Sequence, residues 1–395
     1  MQTCVFVKEQ GRHLQHPRHA TLAIQTFARQ QKWECALGMA AQMKIDNLEP
    51  DVIMYSVMIS ASGKWEGALS MLASMTEKTL KPNAITCSVV MNVCSKKNQW
   101  EKALYFLASM SGYTLQPNVI SYNIAISACE TTGHWPSAVI LLTAMEEHTL
   151  EPSVITYSSL IDLWSKCGHW ERALGMLVLM SEQSMQPNVI CYNAAISACE
   201  KNIQWKWALD VLAEMQRQLL KPDMISYSAA ISVCAKSAQW EQGLRLFEDM
   251  LQASIALDVT AYNTAISACE KGMQWRQALN LFGELQQRFL TPDVITYNAA
   301  ISACEKSAQW KQALHMLGAL QYSKLEPSAI SYNAAISACL GGHRPDVAFQ
   351  LLVEMDTLSV RPDGTTYAFL LAEHEQLGSL AHELELLQGV GTGVA

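Results

Sequence analysis

"VITYNAAISACEKSAQWKQALHMLGALQYSKLEPS" runs from Val294 to Ser328, and nearly the same phrase, "VICYNAAISACEKNIQWKWALDVLAEMQRQLLKPD", runs from Val189 to Asp223. In the first phrase Tyr297, Ile301 and Cys304 stand at i, i+4 and i+7, one face of a helix. Ser307 to Gln309 break that pattern. A second helical pattern starts at Trp310, runs through "ALHMLGAL" and stops before a polar stretch and Pro327, because proline cannot continue a helix interior. The phrase therefore predicts two helices joined by a turn. Its small run "AAISA" lets neighbouring helices approach closely, so that neither helix is stable without its neighbours.

The spacing extends this reading to most of the 395 residues. Trp65, Trp100, Trp135, Trp170, Trp205, Trp240, Trp275 and Trp310 recur every 35 positions. Pro50, Pro82, Pro117, Pro152, Pro187, Pro222, Pro292, Pro327 and Pro362 echo that period. A period in this range predicts an all-α solenoid, one continuous array rather than two or three globular domains. The division is a degenerate repeat at 17–51, then 52–83, 84–118, 119–153, 154–188, 189–223, 224–258, 259–293, 294–328 and 329–363. Residues 1–16 form an N-terminal stub, read as the remnant of a targeting segment, and 364–395 form capping helices with a flexible tail. Three departures stand out. The first helix of 52–83 is shortened by nearly a turn, Leu257 replaces the expected proline, and "GGHRPDVA" replaces tryptophan at 341–348, predicting a looser turn.

Half of the residues are hydrophobic, but no apolar run reaches the roughly 18 needed to cross a bilayer, so a soluble chain is expected. The net charge of −8 weighs against a nonspecific polyanion binder, though not against basic residues lining one groove. Of twelve cysteines, Cys94, Cys129, Cys199, Cys234, Cys269, Cys304 and Cys339 share one repeat slot and no CxxC occurs. They read as reduced, buried small hydrophobes, with no metal site. The acid-poor start, whose only acid before Trp33 is Glu9, suits an organellar transit peptide. The expected location is mitochondrion or chloroplast, with cytoplasm and nucleus as alternatives.

Packing positions barely vary between repeats, whereas two slots change identity within a narrow range. The residue after Tyr, or its equivalent, is Thr21, Ser56, Ser88, Asn123, Ser158, Asn193, Ser228, Asn263, Asn298 and Asn333. The residue closing each repeat, after Pro or its equivalent, is Asp51, Asn83, Asn118, Ser153, Asn188, Asp223, Asp258, Asp293, Ser328 and Asp363. Asp, Asn and Ser are favoured N-caps, so the second slot is explained equally by capping the next helix or by a ligand. The first slot lies one turn inside a helix, where Asn and Ser are poor formers, and points to a ligand.

The 35-residue period, the "V-I-[TS]-Y-N" opening, the Ala-Leu pair of the second helix and the closing Pro-[Asp/Asn/Ser] resemble the pentatricopeptide repeat family over residues 17–363. That family is named among modular RNA readers. The resemblance implies a right-handed α-solenoid superhelix that binds single-stranded RNA, one base per repeat. The two variable residues of each repeat would read the Watson–Crick edge. Ile53, Ile85, Ile120, Ile155, Ile190, Ile225, Ile295 and Ile330 would sandwich bases, and Thr260 breaks this pattern. Isoleucine is equally an ordinary packing residue. Lys96, Lys166, Lys201, Lys236, Lys271 and Lys306 would touch phosphates, or serve only as cations at helix C-termini.

The family's pairing preferences imply G for Thr21/Asp51, A for Ser56/Asn83 and Ser88/Asn118, C for Asn123/Ser153, and A for Ser158/Asn188. They imply U for Asn193/Asp223, G for Ser228/Asp258, U for Asn263/Asp293, C for Asn298/Ser328 and U for Asn333/Asp363. The implied target is near 5′-GAACAUGUCU-3′.

No HExxH, nucleophile elbow, P-loop or dinucleotide fingerprint occurs, and past Asp363 there is no His-x-Glu followed by CxxC. The expectation is a non-enzymatic RNA binder without cofactor, acting in organellar RNA processing, stabilisation, splicing or translation. The alternative is an α-solenoid scaffold for protein partners, like the related tetratricopeptide solenoids.

Overall fold

The computed structural model describes residues 52–366 apart from positions 63, 78, 79, 111, 113, 114, 254, 256 and 359. The expectations for 1–51, including Thr21 and Asp51, and for 367–395 lie outside the described residues. Among the described residues there is no strand, and the helices come in hairpins. Chain contacts divide the protein into two compact units, 1–198 and 199–395.

In the first unit the helices are α1 (Val52–Ala61), α2 (Trp65–Glu77), α3 (Ala84–Lys96), α4 (Trp100–Ser109), α5 (Val119–Thr132), α6 (Trp135–Glu147), α7 (Val154–Cys167) and α8 (Trp170–Glu182). The division point falls in α9 (Val189–Lys201). The second unit continues with α10 (Trp205–Arg217), α11 (Met224–Lys236), α12 (Trp240–Gln252), α13 (Val259–Lys271), α14 (Trp275–Gln287), α15 (Val294–Lys306), α16 (Trp310–Tyr322), α17 (Ala329–Gly341) and α18 (Pro345–Thr357). Within each unit, α9 aside, first helices pack on the first helix of the next described repeat, and second helices pack on their own first helix and on the following described one. This is an all-α solenoid of stacked hairpins.

The packing follows from the repeated phrase. Tyr297, Ala300, Ile301, Ala303 and Cys304 of α15 are buried, as are Ala313, Met316, Leu317 and Leu320 of α16. Each large apolar side chain removed from water contributes about 1.5–3 kcal/mol. Phe282 and Tyr297 meet edge to face at 4.9 Å, and the Tyr297 hydroxyl shares a 2.9 Å hydrogen bond with Ser323, so the ring is buried without stranding its polar end. The slot cysteines are buried, as expected; desolvation pushes the thiols of Cys234 and Cys304 up to about 11 and that of Cys269 to about 12, so they stay neutral.

The departures resolve individually. The first helix of 52–83, α1, has 10 residues where α3 has 13, the shortening expected. Shortening of α4 to 10 residues was not expected; it stops where "SMSG" places serine and glycine, both poorer helix formers than the "AMEE" of the next repeat. Replacing proline by Leu257 leaves helix initiation intact, because Asp258 still accepts from the Ala261 N–H at 2.9 Å. The turn at 341–344 is not looser than the others: Arg344 N donates to Cys339 O at 2.9 Å, as Gln309 N does to Cys304 O. Pro345 then takes the first helical position, where its missing N–H is no loss.

The turn inside each hairpin shows a feature that residue types conceal. Asn98, Gly133, Gly168, Ile203, Ala238, Met273, Ala308 and His343 all have φ between 52° and 77°. The left-handed residue lets the following N–H reach back to the cysteine slot or its equivalent and close the helix, as in Gln204 N to Cys199 O at 2.9 Å. Two of the eight are glycine and one is asparagine, which also tolerates this region; at Ile203, Ala238, Met273 and Ala308 the hairpin packing imposes a conformation that side-chain preference opposes.

Candidate functional site

Each first helix keeps one stripe open to solvent. In α15 the stripe carries Ile295, Asn298, Ser302 and Lys306, while Tyr297, Ile301 and Cys304 face the core. The isoleucine slot lies on this open stripe. Ile53, Ile85, Ile120, Ile155, Ile190, Ile225, Ile295 and Ile330 are 58–67% exposed, so core packing does not account for them. Thr260, the exception, donates to Asp258 Oδ1 at 2.6 Å.

The closing slot caps helices throughout the described chain. Asn83, Asn118, Ser153, Asn188, Asp223, Asp258, Asp293, Ser328 and Asp363 each accept from the backbone N–H three residues on. The capping explanation is therefore correct for this slot. It leaves further acceptor capacity on each side chain. Burial alone would raise the pKa of Asp293, but bonds from the Thr296 N–H and hydroxyl and from Asn263 outweigh it and hold the carboxyl below its ordinary value. Asp258 is lowered in the same manner: burial opposes, while the Thr260 hydroxyl and backbone N–H groups prevail. The Thr365 hydroxyl, then the Thr366 N–H and hydroxyl and the Asn333 amide, keep Asp363 ionised. These aspartates offer acceptors only.

The slot after tyrosine, which the sequence assigns to a ligand, also has internal partners. Asn123 Nδ2 donates to Ser153 Oγ at 3.2 Å, Asn263 Nδ2 to Asp293 Oδ1 at 3.2 Å, and Asn333 Nδ2 to Asp363 Oδ1 at 3.0 Å. Ser56 Oγ donates to Val52 O at 2.9 Å, and Ser158 Oγ to Val154 O at 2.7 Å. In these three asparagine repeats the two variable residues thus lie side by side, bonded across the boundary to the next hairpin. They sit at the rim of the packed layer: Asn118, Asn188 and Asp363 are exposed, Ser56 and Asn333 buried, and the other described members half-buried. Ser228 Oγ and Asn263 Oδ1 are buried without a hydrogen-bond partner.

In the first unit these slots frame an open cavity of about 280 Å³, lined by Ile85, Ser88, Val89, Asn118, Ile120 and Ile124 among others. Two successive slot isoleucines and one variable pair meet there. A larger cavity of about 790 Å³ lies among second helices, against Leu104, Leu107, Tyr122, Ile140, Leu141 and Ala144, and touches none of the variable residues.

The lysines have partners that the sequence reading overlooked. Lys166 Nζ is 2.9 Å from Glu130, Lys236 Nζ 2.9 Å from Glu200, and Lys306 Nζ 2.6 Å from Glu270, each acid one repeat back. Lys271 lies 3.5 Å from Glu270. Lys96 and Lys201 are exposed. The acids recur in "ACE", 36 residues before the lysine, a legible signal. A second group was also passed over. The Thr, Ser or other residue three positions after the cap is buried at Thr86, Ser121, Thr156, Cys191, Ser226, Ala261, Thr296, Ser331 and Thr366. Among the described residues no cluster of three metal-ligating side chains occurs, and no helix is long and apolar enough to cross a membrane.

The sequence model described as "PPR repeat family" matches residues 82–131, 117–163, 152–201, 187–236 and 257–306, more than half of the chain. The chain belongs to the pentatricopeptide repeat family. The "Pentatricopeptide repeat domain" matches 38–97, and "PPR repeat" matches 225–255 and 330–360 of this pentatricopeptide repeat protein. No curated protein matches the chain in sequence. Among solved structures it is similar to the pentatricopeptide repeat protein PPR10 in complex with an 18-nt psaJ RNA element, at TM-score 0.66 and 19% identity over 93% of this chain and 59% of that one. PPR10 from maize matches at TM-score 0.54 and 19% identity, over 95% of this chain and 64% of the other. This likeness shows a shared solenoid fold, and the chain spans 59% of the length of the RNA-bound PPR10 chain.

Proposed function

We propose that this pentatricopeptide repeat protein binds single-stranded RNA, one base per repeat, with a preferred target near 5′-GAACAUGUCU-3′. The observation that carries the reading is the cavity bounded by Ile85 and Ile120, with Ser88 and Asn118 at its edge. Two exposed aliphatic side chains on successive hairpins suit the two faces of a planar base, and the polar pair suits its hydrogen-bonding edge. The slot isoleucines of eight repeats are likewise 58–67% exposed, which supports the same use of them. The RNA-bound state of the structurally similar PPR10 supports it.

The closing residue separates bases by donor and acceptor chemistry. Guanine and uracil present a ring N–H on the Watson–Crick edge, which the carboxylate oxygens of Asp223, Asp258, Asp293 and Asp363 can receive. Adenine and cytosine present a ring nitrogen acceptor there, which matches the donors of Asn83, Asn118, Asn188, Ser153 and Ser328. The residue after tyrosine then separates bases by size. Ser56, Ser88, Ser158 and Ser228 leave room for a purine, while the longer Asn123, Asn193, Asn263, Asn298 and Asn333 fit pyrimidines. Lys96, Lys166, Lys201, Lys236, Lys271 and Lys306 supply the phosphate contacts, four of them after release from glutamate.

Stacking in single-strand binders contributes on the order of 1–3 kcal/mol per base, enough over several repeats to offset ordering of the strand. A net charge of −8 then requires no polybasic surface. Occupying a transcript is the mode of action, in organellar RNA processing, stabilisation, splicing or translation. Fluorescence anisotropy with the ten-mer and with scrambled ten-mers tests the reading: preference for the ten-mer supports it, and equal affinity for all discards the base assignment.

A further inference from the structure

The buried hydroxyl found three residues after every described cap except those before Cys191 and Ala261 occupies a position that the base-reading scheme leaves unused. Thr156 Oγ1 donates to Asn123 Oδ1 at 2.6 Å, Ser331 Oγ to Asn298 Oδ1 at 2.6 Å, and Thr366 Oγ1 to Asn333 Oδ1 at 2.6 Å. Each asparagine belongs to the preceding repeat. The same hydroxyls receive the N–H of their own cap, from Ser153 at 3.0 Å, Ser328 at 3.1 Å and Asp363 at 3.2 Å. With its oxygen engaged by that N–H, each hydroxyl has one proton to give. The asparagine oxygen is the nearer acceptor, against 3.1 Å to Ser153, 3.1 Å to Ser328 and 2.9 Å to Asp363.

An asparagine amide can turn over and exchange its donor and acceptor. Here the hydroxyl holds the oxygen inward, so the amide nitrogen lies toward the cap residue, as Asn123 Nδ2 does against Ser153 and Asn333 Nδ2 against Asp363. The ionised carboxylate of Asp363 can only accept, which requires the same orientation independently. Cytosine and uracil share an acceptor, the O2 carbonyl, next to the ring nitrogen that tells them apart. We infer that the hydroxyl of the following repeat is a positioning residue for pyrimidine recognition: it locks the asparagine so that only N–H faces the base.

Two other repeats show what its loss or redirection does. In 259–293 the position is Ala261, and Ser228 Oγ of the preceding repeat is left buried without a partner. At Asn263 the proton of Thr296 goes to Asp293 Oδ1 at 2.8 Å, Asn263 Oδ1 has no partner, and the carboxylate alone orients the amide, at 3.2 Å. The two uses of the hydroxyl can therefore be separated within one protein.

This inference rests on the RNA reading above, and its test keeps the two apart. Dissociation constants of the full chain are measured for the ten-mer and for single-base variants at its fourth and eighth positions, with thermal unfolding of every protein alongside. Thr156→Val is expected to lower the preference for C over A at the fourth base by about fivefold or more, the effect of one lost hydrogen bond. Preferences at other bases are expected to hold, and Thr156→Ser to retain the wild-type ratio. Thr296→Val is expected to leave the preference for U over A at the eighth base unchanged, because Asp293 holds that amide. An unchanged ratio at the fourth base, an equal loss of affinity for every RNA, or an equal loss of preference in Thr296→Val overturns the inference while leaving the RNA reading in place. A wild-type protein without base preference removes both.

Discussion

Lys306 Nζ sits 2.6 Å from Glu270 Oε1, so the cation proposed for a phosphate is already held by the preceding repeat. The same carboxylate lies 3.5 Å from Lys271 and accepts from Ser302 Oγ at 3.3 Å. Lys306 is about one-third exposed, and pairs of this kind contribute about 0–1 kcal/mol, so a phosphate can take the lysine at little loss.

Replacing Glu270→Gln is therefore expected to change thermal stability by no more than about 1 kcal/mol while freeing two cations. RNA affinity rises, and the dependence of log K on log salt steepens by up to about 1.4, roughly 0.7 for each phosphate neutralised on a single strand. Affinity measured between low and moderate salt checks this. An unchanged slope would show that neither lysine reaches the strand.

The cap aspartates tie stability to pH. Hydrogen bonds from Thr296 and Asn263 depress the pKa of Asp293 in the folded chain against the opposing effect of burial. A depressed folded value means the contribution is fully present above the unfolded value of about 3.9 and is lost as pH falls through the folded value. Asp293→Ala is expected to cost about 1 kcal/mol at neutral pH, as lost caps do. The gap from wild type narrows only below about pH 4. Urea midpoints of both proteins between acid and neutral pH measure it, and a gap independent of pH would contradict the ionised cap.

How much of this was legible beforehand differs by feature, for physical reasons. Trp310 and Pro327 punctuate a hairpin because their chemistry acts locally, so helices begin where the phrase begins, at Val189, Val294 and their equivalents. The isoleucines were ambiguous because Ile85 and Ile120 look like core residues until stacking leaves both at an open cavity. The structural use of Asn123 was hidden because its partners, Ser153 and Thr156, lie 30 and 33 residues away in the next hairpin. The left-handed turn was legible at Gly133, Gly168 and Asn98, whereas at Ile203 or Met273 packing overrides a residue type that argues against it.

That last conflict gives a stability prediction. Ile203 holds φ at 58°, where a β-branched side chain crowds the backbone, while Gly133 and Gly168 fill the equivalent turns without that crowding. Ile203 is 51% exposed, so little packing is lost on its removal. Ile203→Gly is expected to stabilise the protein by roughly 1 kcal/mol, relief of strain outweighing the added freedom of the unfolded chain. A lower thermal midpoint for the variant would show that the Ile203 side chain contributes more by packing than its backbone strain removes.

Ile85 and Ile120 allow binding to be separated from folding. Their exposures of 67% and 63% mean that truncation opens no cavity in the core. Ile85→Ala and Ile120→Ala are each expected to change unfolding free energy by less than about 0.5 kcal/mol, as surface substitutions do. Each removes one aliphatic wall from the cavity that also carries Ser88 and Asn118, and a base held there loses that contact. The expected weakening of ten-mer binding is about fivefold per variant, near the lower end of the range for base stacking because the wall is aliphatic rather than aromatic. The double variant loses less than the two singles combined if both walls clamp the same base, since the second truncation acts on a base already loosened. Equilibrium titration of the four proteins against one RNA reads both quantities. Unchanged affinity in all of them, with unfolding also unchanged, would leave the exposed isoleucines without a role in RNA binding and remove the principal support for the RNA reading.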